Sequence, residues 1–228
     1  MERFGWQTRG VRERSASRRA GVSSAAIAEY HAPVVEPRAA LRDARGVRSR
    51  IREEDSFMAT NERDSFIAAL DREAQGTSRL LQSLPKHQYD FRPDAGGRSL
   101  GELSWHLAEI EAYTSHGIAL GKFDLGGAKP AGIERPRTIE ALAPEFERVH
   151  RESVERLRAI KPEDLDRELV FFTGGPLRIR DILWSATLHH ILHHRGQLVL
   201  MCRLAGGTAP GLFGPNREEM AAMRAARG

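Results

Sequence analysis

The stretch "DILWSATLHHILHHRGQLVLMCRL", residues 181–204, reads as one long helix. Drawn at about 100° per residue, it places Leu183, Ala186, His190, His194, Gln197, Met201 and Leu204 within a sector of roughly 80°. Four of the nine histidines lie in it, within six positions. They form two i,i+4 pairs, His189/His193 and His190/His194, and each pair shares one helix face.

Three more amphipathic segments precede it. "SFIAALDREAQGTSRLLQSLP" sets Phe66, Ile67, Leu70, Ala74, Leu80, Leu81 and Leu84 near one stripe. Pro85 stops that helix, and Gly76 weakens its middle. "RSLGELSWHLAEIEAYTSHGIALG" opens with the capping box Ser99/Glu102. Its inward face runs Leu103, His106, Leu107, Ile110, Thr114 and Gly117, and Gly121 ends it. A Gly/Pro-rich loop leads to a third helix around "TIEALAPEFERVHRESVERLRAI", where Pro144 either starts the regular part or kinks the first turns. "ELVFFTGGPLRIR" reads as a short hairpin or extended turn broken at Gly174-Gly175-Pro176. After "AGG", Asn216 and Glu219 are placed to cap a last short helix. The expectation is an all-α four-helix bundle over residues 58–210 with long inter-helix loops, and a C-terminal tail with a short helix over 211–228.

Residues 1–57 read differently. Through position 55 they hold 12 Arg and no Lys against 8 acids, whereas residues 56–228 balance 23 basic against 23 acidic side chains. Thin in apolar residues, this Arg-rich segment is expected to be a disordered extension or the product of a mis-assigned start, with Met58 as the alternative beginning. A basic anchoring tail or a targeting peptide is the sharper alternative, and Glu2, Glu13 and Glu29 argue against targeting. The neutral remainder lacks the local cationic surplus that phosphate backbones require, so no nucleic-acid partner is expected. No apolar run is long enough for a membrane span. The single cysteine, Cys202, forms no disulfide within the chain and suits a reducing, cytoplasmic setting.

A lone histidine on an apolar helix face is ordinarily a neutral core residue. Two at i,i+4 can bind one metal, and a third from another helix makes a site with open positions. Periodicity favours His190/His194 but leaves His189/His193 standing. His106 is the best third ligand, being at an inward mid-helix position. His31 lies in the extension, His87 in the first loop and His116 near a helix end. His150, among the charges of "FERVHRESVER", reads as a surface residue.

"RSLGELSWHLAEIE", then "HHILHHRGQL" and "AGGTAPGLFGP", together resemble the DinB-like family of metal-binding four-helix bundles. "LPKHQYDFRPDAGGRSL" resembles that family's link between helices one and two. The similarity spans roughly Met58 to Pro215. The resemblance implies ligands at His106, His190 and His194, and none at His189 or His193. It concerns the damage-inducible bundle proteins and not the translesion polymerase of the same label. It further implies, by analogy with some members of the wider superfamily, a metal-dependent enzyme that uses a low-molecular-weight thiol. DinB-like proteins often pair, so a homodimer is expected, with Leu192 and Val199 opposite His190 on the wheel.

Two functions follow as expectations. In the first, a divalent ion (zinc, nickel, iron or cobalt) activates water or a small thiol against an electrophilic substrate, as a transferase, isomerase or hydrolase. Gln197 and Glu109 are candidates for polar groups beside the metal. Arg195 is expected to pair with an acid on a neighbouring helix, its alternative role being a substrate anion's partner. Cys202, about 120° from His190 on the wheel, is a poor nucleophile candidate. In the second, the metal only cross-links helices in a non-catalytic ligand-binding or stress-related bundle, a reading that a fourth protein ligand would favour.

Overall fold

A computed structural model of the chain describes residues 44–123, 133–172 and 175–227, the first helix up to position 61 by its backbone only. Four helical rods surround one core. Helix α1 spans Ala44–Gln82, α2 Leu100–Leu120 and α3 Ile139–Arg158. A two-stranded antiparallel hairpin follows, β1 (Glu168–Val170) against β2 (Pro176–Arg178), with Leu169 opposite Leu177. The fourth rod is continuous but composite: a short α turn (α4, Ile179–Asp181), a π-helical segment (Ile182–His189) and α5 (His190–Leu204). Helix α6, Arg217–Ala225, closes the chain.

The local signals account for several of these boundaries. Ser99 accepts from the Glu102 amide while the Glu102 carboxylate takes the Ser99 amide, so both orphan donors at the α2 start are satisfied. Gly121 ends α2 in the left-handed region at φ 71°. Asn216 and Glu219 repeat the box at α6. The apolar stripe of α1 is buried as its spacing predicts, from Phe66 through Leu70, Leu80 and Leu81 to Leu84. Pro144 sits inside α3 without ending it. Loop residues 124–132 and the turn at 173–174 lie outside the described residues, as do residues 1–43.

Three expectations change. Helix α1 begins at Ala44, so the backbone of residues 44–57, expected to be disordered, is helical. No proline stands between Pro37 and Pro85, and Arg, Glu and Ala, all good helix formers, dominate the stretch. The fourth rod also presents a different face to the core. On α5 the buried residues are Ile191, Arg195, Leu198, Met201 and Cys202, while Gln197 is exposed and Leu204 is 57 % exposed. The π segment is the reason. Bonds closing at i→i+5 take up about one extra residue per turn, which turns everything after it by roughly 100° relative to Leu183. The Thr187 hydroxyl donates to the Ile182 carbonyl across such a turn.

Third, His150 is not on the open surface: its side chain is only 13 % exposed. Its Nδ1 meets Glu111 Oε2 at 2.8 Å and its Nε2 meets Asp71 Oδ1 at 2.9 Å, joining α3 to α2 and α1. The ring stacks on Phe146, centroids 6.1 Å apart. Burial pushes the Glu111 carboxyl above its ordinary range. Burial alone would lower His150, but the bonds and charges of Glu111 and Asp71 outweigh it and carry His150 above 6.5.

Candidate metal centre

The rotation of α5 moves His190 and His194 from the core to its edge, where they face α2. There they meet His106, whose ring centroid lies 5.6 Å from that of His190 and 4.9 Å from that of His194. One ring nitrogen from each of the three lies within 4.8 Å of the others, close enough to share one metal ion. His190 Nε2 and His194 Nε2 stand 2.9 Å apart.

The other ring nitrogens are held. His106 Nδ1 lies 3.1 Å from Glu109 Oε2, and His194 Nδ1 lies 2.7 Å from Gln197 Oε1. Both partners are acceptors, so each Nδ1 carries the proton and donates it. The Nε2 lone pair of each ring is thereby left free, which is the tautomer a metal ligand needs.

Electrostatics point the same way. Burial, then the neighbouring charge of His106, lowers His190. Burial, reinforced by His106, His190 and His193 and opposed by the Gln197 bond, brings His194 down to about 4. At neutral pH these rings are uncharged donors of electron pairs. Three imidazoles, those of His106 and His194 with tied Nδ1 atoms, suit a borderline divalent ion such as zinc, nickel, iron or cobalt. Among the described residues the cluster holds these three histidines and no carboxylate or thiol.

The remaining candidates separate. Glu109 and Gln197 both stand beside a histidine of the cluster. Arg195 does not point there: it is 2 % exposed, and its Nη1 donates to the Glu73 carbonyl at 2.8 Å while Nη2 pairs with the Glu73 carboxylate. Cys202 is fully buried with its Sγ toward the Ser83 carbonyl, 3.9 Å away, and burial raises its thiol. The His189 side chain makes no hydrogen bond among the described residues. His193, set aside on sequence, is tied to the cluster through Gln197, whose Nε2 lies 3.2 Å from His193 Nε2. Two surface clefts, about 550 and 300 Å³, share no residue with the cluster.

The chain matches the DinB superfamily over residues 69–198, more than half its length and all three histidines. It belongs to the DinB superfamily. The protein named "Uncharacterized protein YrdA" from Bacillus subtilis (strain 168) is 28 % identical over 159 residues, covering 69 % of this chain and 92 % of its own. A DinB-like protein from Bacillus cereus ATCC 10987 has a similar crystal structure, with a TM-score of 0.52 at 26 % identity over 65 % of this chain and 95 % of that one. The DinB-like protein YjoA of Bacillus subtilis shares the fold at a TM-score of 0.53 and 23 % identity, over 67 % and 99 % of the two chains. No helix among the described residues of this DinB-superfamily chain is long and apolar enough to cross a membrane.

Proposed function

We propose that this chain is a divalent-metal enzyme that directs water or a low-molecular-weight thiol against an electrophilic small molecule, in the transferase, isomerase or hydrolase class. One observation carries the reading: two helices converge three imidazoles on one point, and no further ligand from the described chain joins them. Structural sites are closed by four protein ligands, whereas catalytic sites keep a position open. An ion held there supplies Lewis acidity, lowering the pKa of a water or thiol toward neutrality.

The chain's own groups have distinct parts in this scheme. His106, His190 and His194 bind. Glu109 and Gln197 accept the Nδ1 protons and fix the rings. Glu109 is 27 % exposed and engages His106 through one oxygen, so we assign its second oxygen to receive the proton that the nucleophile gives up. Cys202 is sealed in the core, so any attacking sulfur comes from a cosubstrate.

The test is metal analysis of the purified protein followed by turnover assays with several cellular thiols and with water, against activated electrophiles. The expected result is one ion per chain and a rate that disappears with chelator. A stoichiometric ion without turnover under any condition would replace this reading with the non-catalytic, metal-stabilised bundle.

A further inference from the structure

Tyr113 stands on the same face of α2 as His106. Two turns less about 20° separate them, with a rise of about 10 Å. Glu109 lies between, one turn from each, and its carboxylate meets His106 Nδ1 at 3.1 Å. Long side chains on a helix lean back toward its N-terminus, so the Tyr113 ring reaches over the turn that carries Glu109. The electrostatics agree: burial, then the Glu109 charge, pushes the Tyr113 phenol above its ordinary value, so it keeps its proton at neutral pH. The ring is half-buried, yet its hydroxyl makes no hydrogen bond among the described residues. Tyr89, by contrast, donates its hydroxyl to the Pro136 carbonyl at 2.5 Å. A phenol that is partly withdrawn from water ordinarily finds such a partner within the protein.

We propose that Tyr113 is a catalytic residue that donates a hydrogen bond to the carbonyl oxygen of an acyl electrophile bound at the three-histidine site. This role rests on the metal-enzyme reading above and narrows its substrate class. Attack on an acyl carbon forms a bond from the water oxygen or thiol sulfur to that carbon, and the C=O π pair moves onto oxygen. The nucleophile's proton passes to the Glu109 carboxylate assigned above. A phenol aimed at the oxygen stabilises the charge that grows there. The pair then returns, and the leaving group departs with the proton that Glu109 holds. His106, Glu109 and Tyr113 thus set ligand, base and donor in one line along α2. An electrophile with no oxygen on its reacting carbon gains nothing from Tyr113, so the fitting substrates are esters, thioesters and activated amides.

The experiment loads the full-length protein with cobalt(II), whose visible absorption reports each added ligand. Acetohydroxamate presents a carbonyl oxygen to the site; thiocyanate, the control, presents none. Tyr113→Phe keeps the ring and removes only the hydroxyl. We expect the wild type and Tyr113→Phe to take up cobalt equally and to bind thiocyanate equally. The variant should bind acetohydroxamate about three- to tenfold more weakly, the worth of one net hydrogen bond. Equal acetohydroxamate affinity in the two proteins, parallel losses for both ligands, or no acetohydroxamate binding by the loaded wild type would overturn the proposal. So would loss of cobalt from Tyr113→Phe, which would make the hydroxyl part of the metal site's framework. If the wild type itself took up no cobalt, the three-histidine reading would fall and this role with it, a result distinct from cobalt uptake with an indifferent Tyr113.

Discussion

Replacing Arg195 with Met should cost this bundle about 3 kcal/mol, and the structure indicates why. The guanidinium is 2 % exposed and lies against α1, bonded to the Glu73 carbonyl, to the Glu73 carboxylate and, at 3.5 Å, to the Thr77 hydroxyl. The Phe213 ring covers it from the C-terminal segment, 5.1 Å from Cζ to centroid. Gly76 makes room on α1, since a Cβ there would stand 3.2 Å from Nη1. Methionine restores much of the volume but none of the donors. Removing one partner of a buried pair costs about 3–5 kcal/mol, mostly from the charge left behind. Glu73 is 16 % exposed and can draw in some water, which places the expected loss at the lower end. For a chain of this length about 3 kcal/mol lowers the melting temperature by roughly 6–12 °C. Calorimetry and urea unfolding of Arg195→Met and of Glu73→Met/Arg195→Met measure it. The double variant should recover most of the loss, because the carboxylate is no longer stranded. A single variant within about 1 kcal/mol of wild type would show that the pair behaves like a surface one.

Other outcomes follow from the same geometry. His106→Ala, His190→Ala and His194→Ala should each abolish tight metal binding, while His189→Ala keeps one ion per chain. Chelator should accordingly lower the melting point of the wild type and of the His189 variant only, the bound ion adding about 2.7 kcal/mol at a free concentration of 100 Kd. Stability should decline as pH rises above 6.5, because His150 has a raised folded pKa and holds a proton that the unfolded chain releases. That stability is fully present below 6.5 and is lost through the folded value of His150, at no more than about 1.4 kcal/mol per pH unit for one proton; His150→Gln should flatten the profile. A chain beginning at Met58 should keep its helical circular dichroism and its melting temperature, since the described core starts at Phe66.

What was legible in the sequence was local. The Ser99/Glu102 and Asn216/Glu219 boxes, Gly121, and the apolar stripe of α1 depend on residues within a few positions of one another, and each stands where its spacing puts it. The π segment has no such local signature, so a wheel drawn at a constant 100° per residue misplaced His190, His194, Gln197 and Leu204. His150 failed for another reason. Its charged neighbours Glu147, Arg148, Arg151 and Glu152 suggested a surface, yet Phe146, Val149, Ser153, Val154 and Leu157 form a buried stripe at whose edge it stands. That stripe was readable. Its partners Asp71 and Glu111 were not, because they come from α1 and α2, and only the packed bundle brings them to the ring.

The same distinction explains how the fourth rod selects between two histidine pairs that its sequence leaves nearly equivalent. Within "HRGQ", residues 194–197, consecutive side chains point about 100° apart and so meet different partners. His194 meets His106 on α2, Arg195 meets Glu73 on α1, and Gln197 turns back to His194 and His193. Turning α5 by one residue to present His189 and His193 to α2 would carry Arg195 out of its clamp on α1 and strand the Glu73 carboxylate. The loss would be of the same order as deleting the guanidinium. The buried ion pair thus contributes less as net stability than as a setting of helix rotation. The placement of His190 and His194 against α2 therefore depends on a residue that faces away from them.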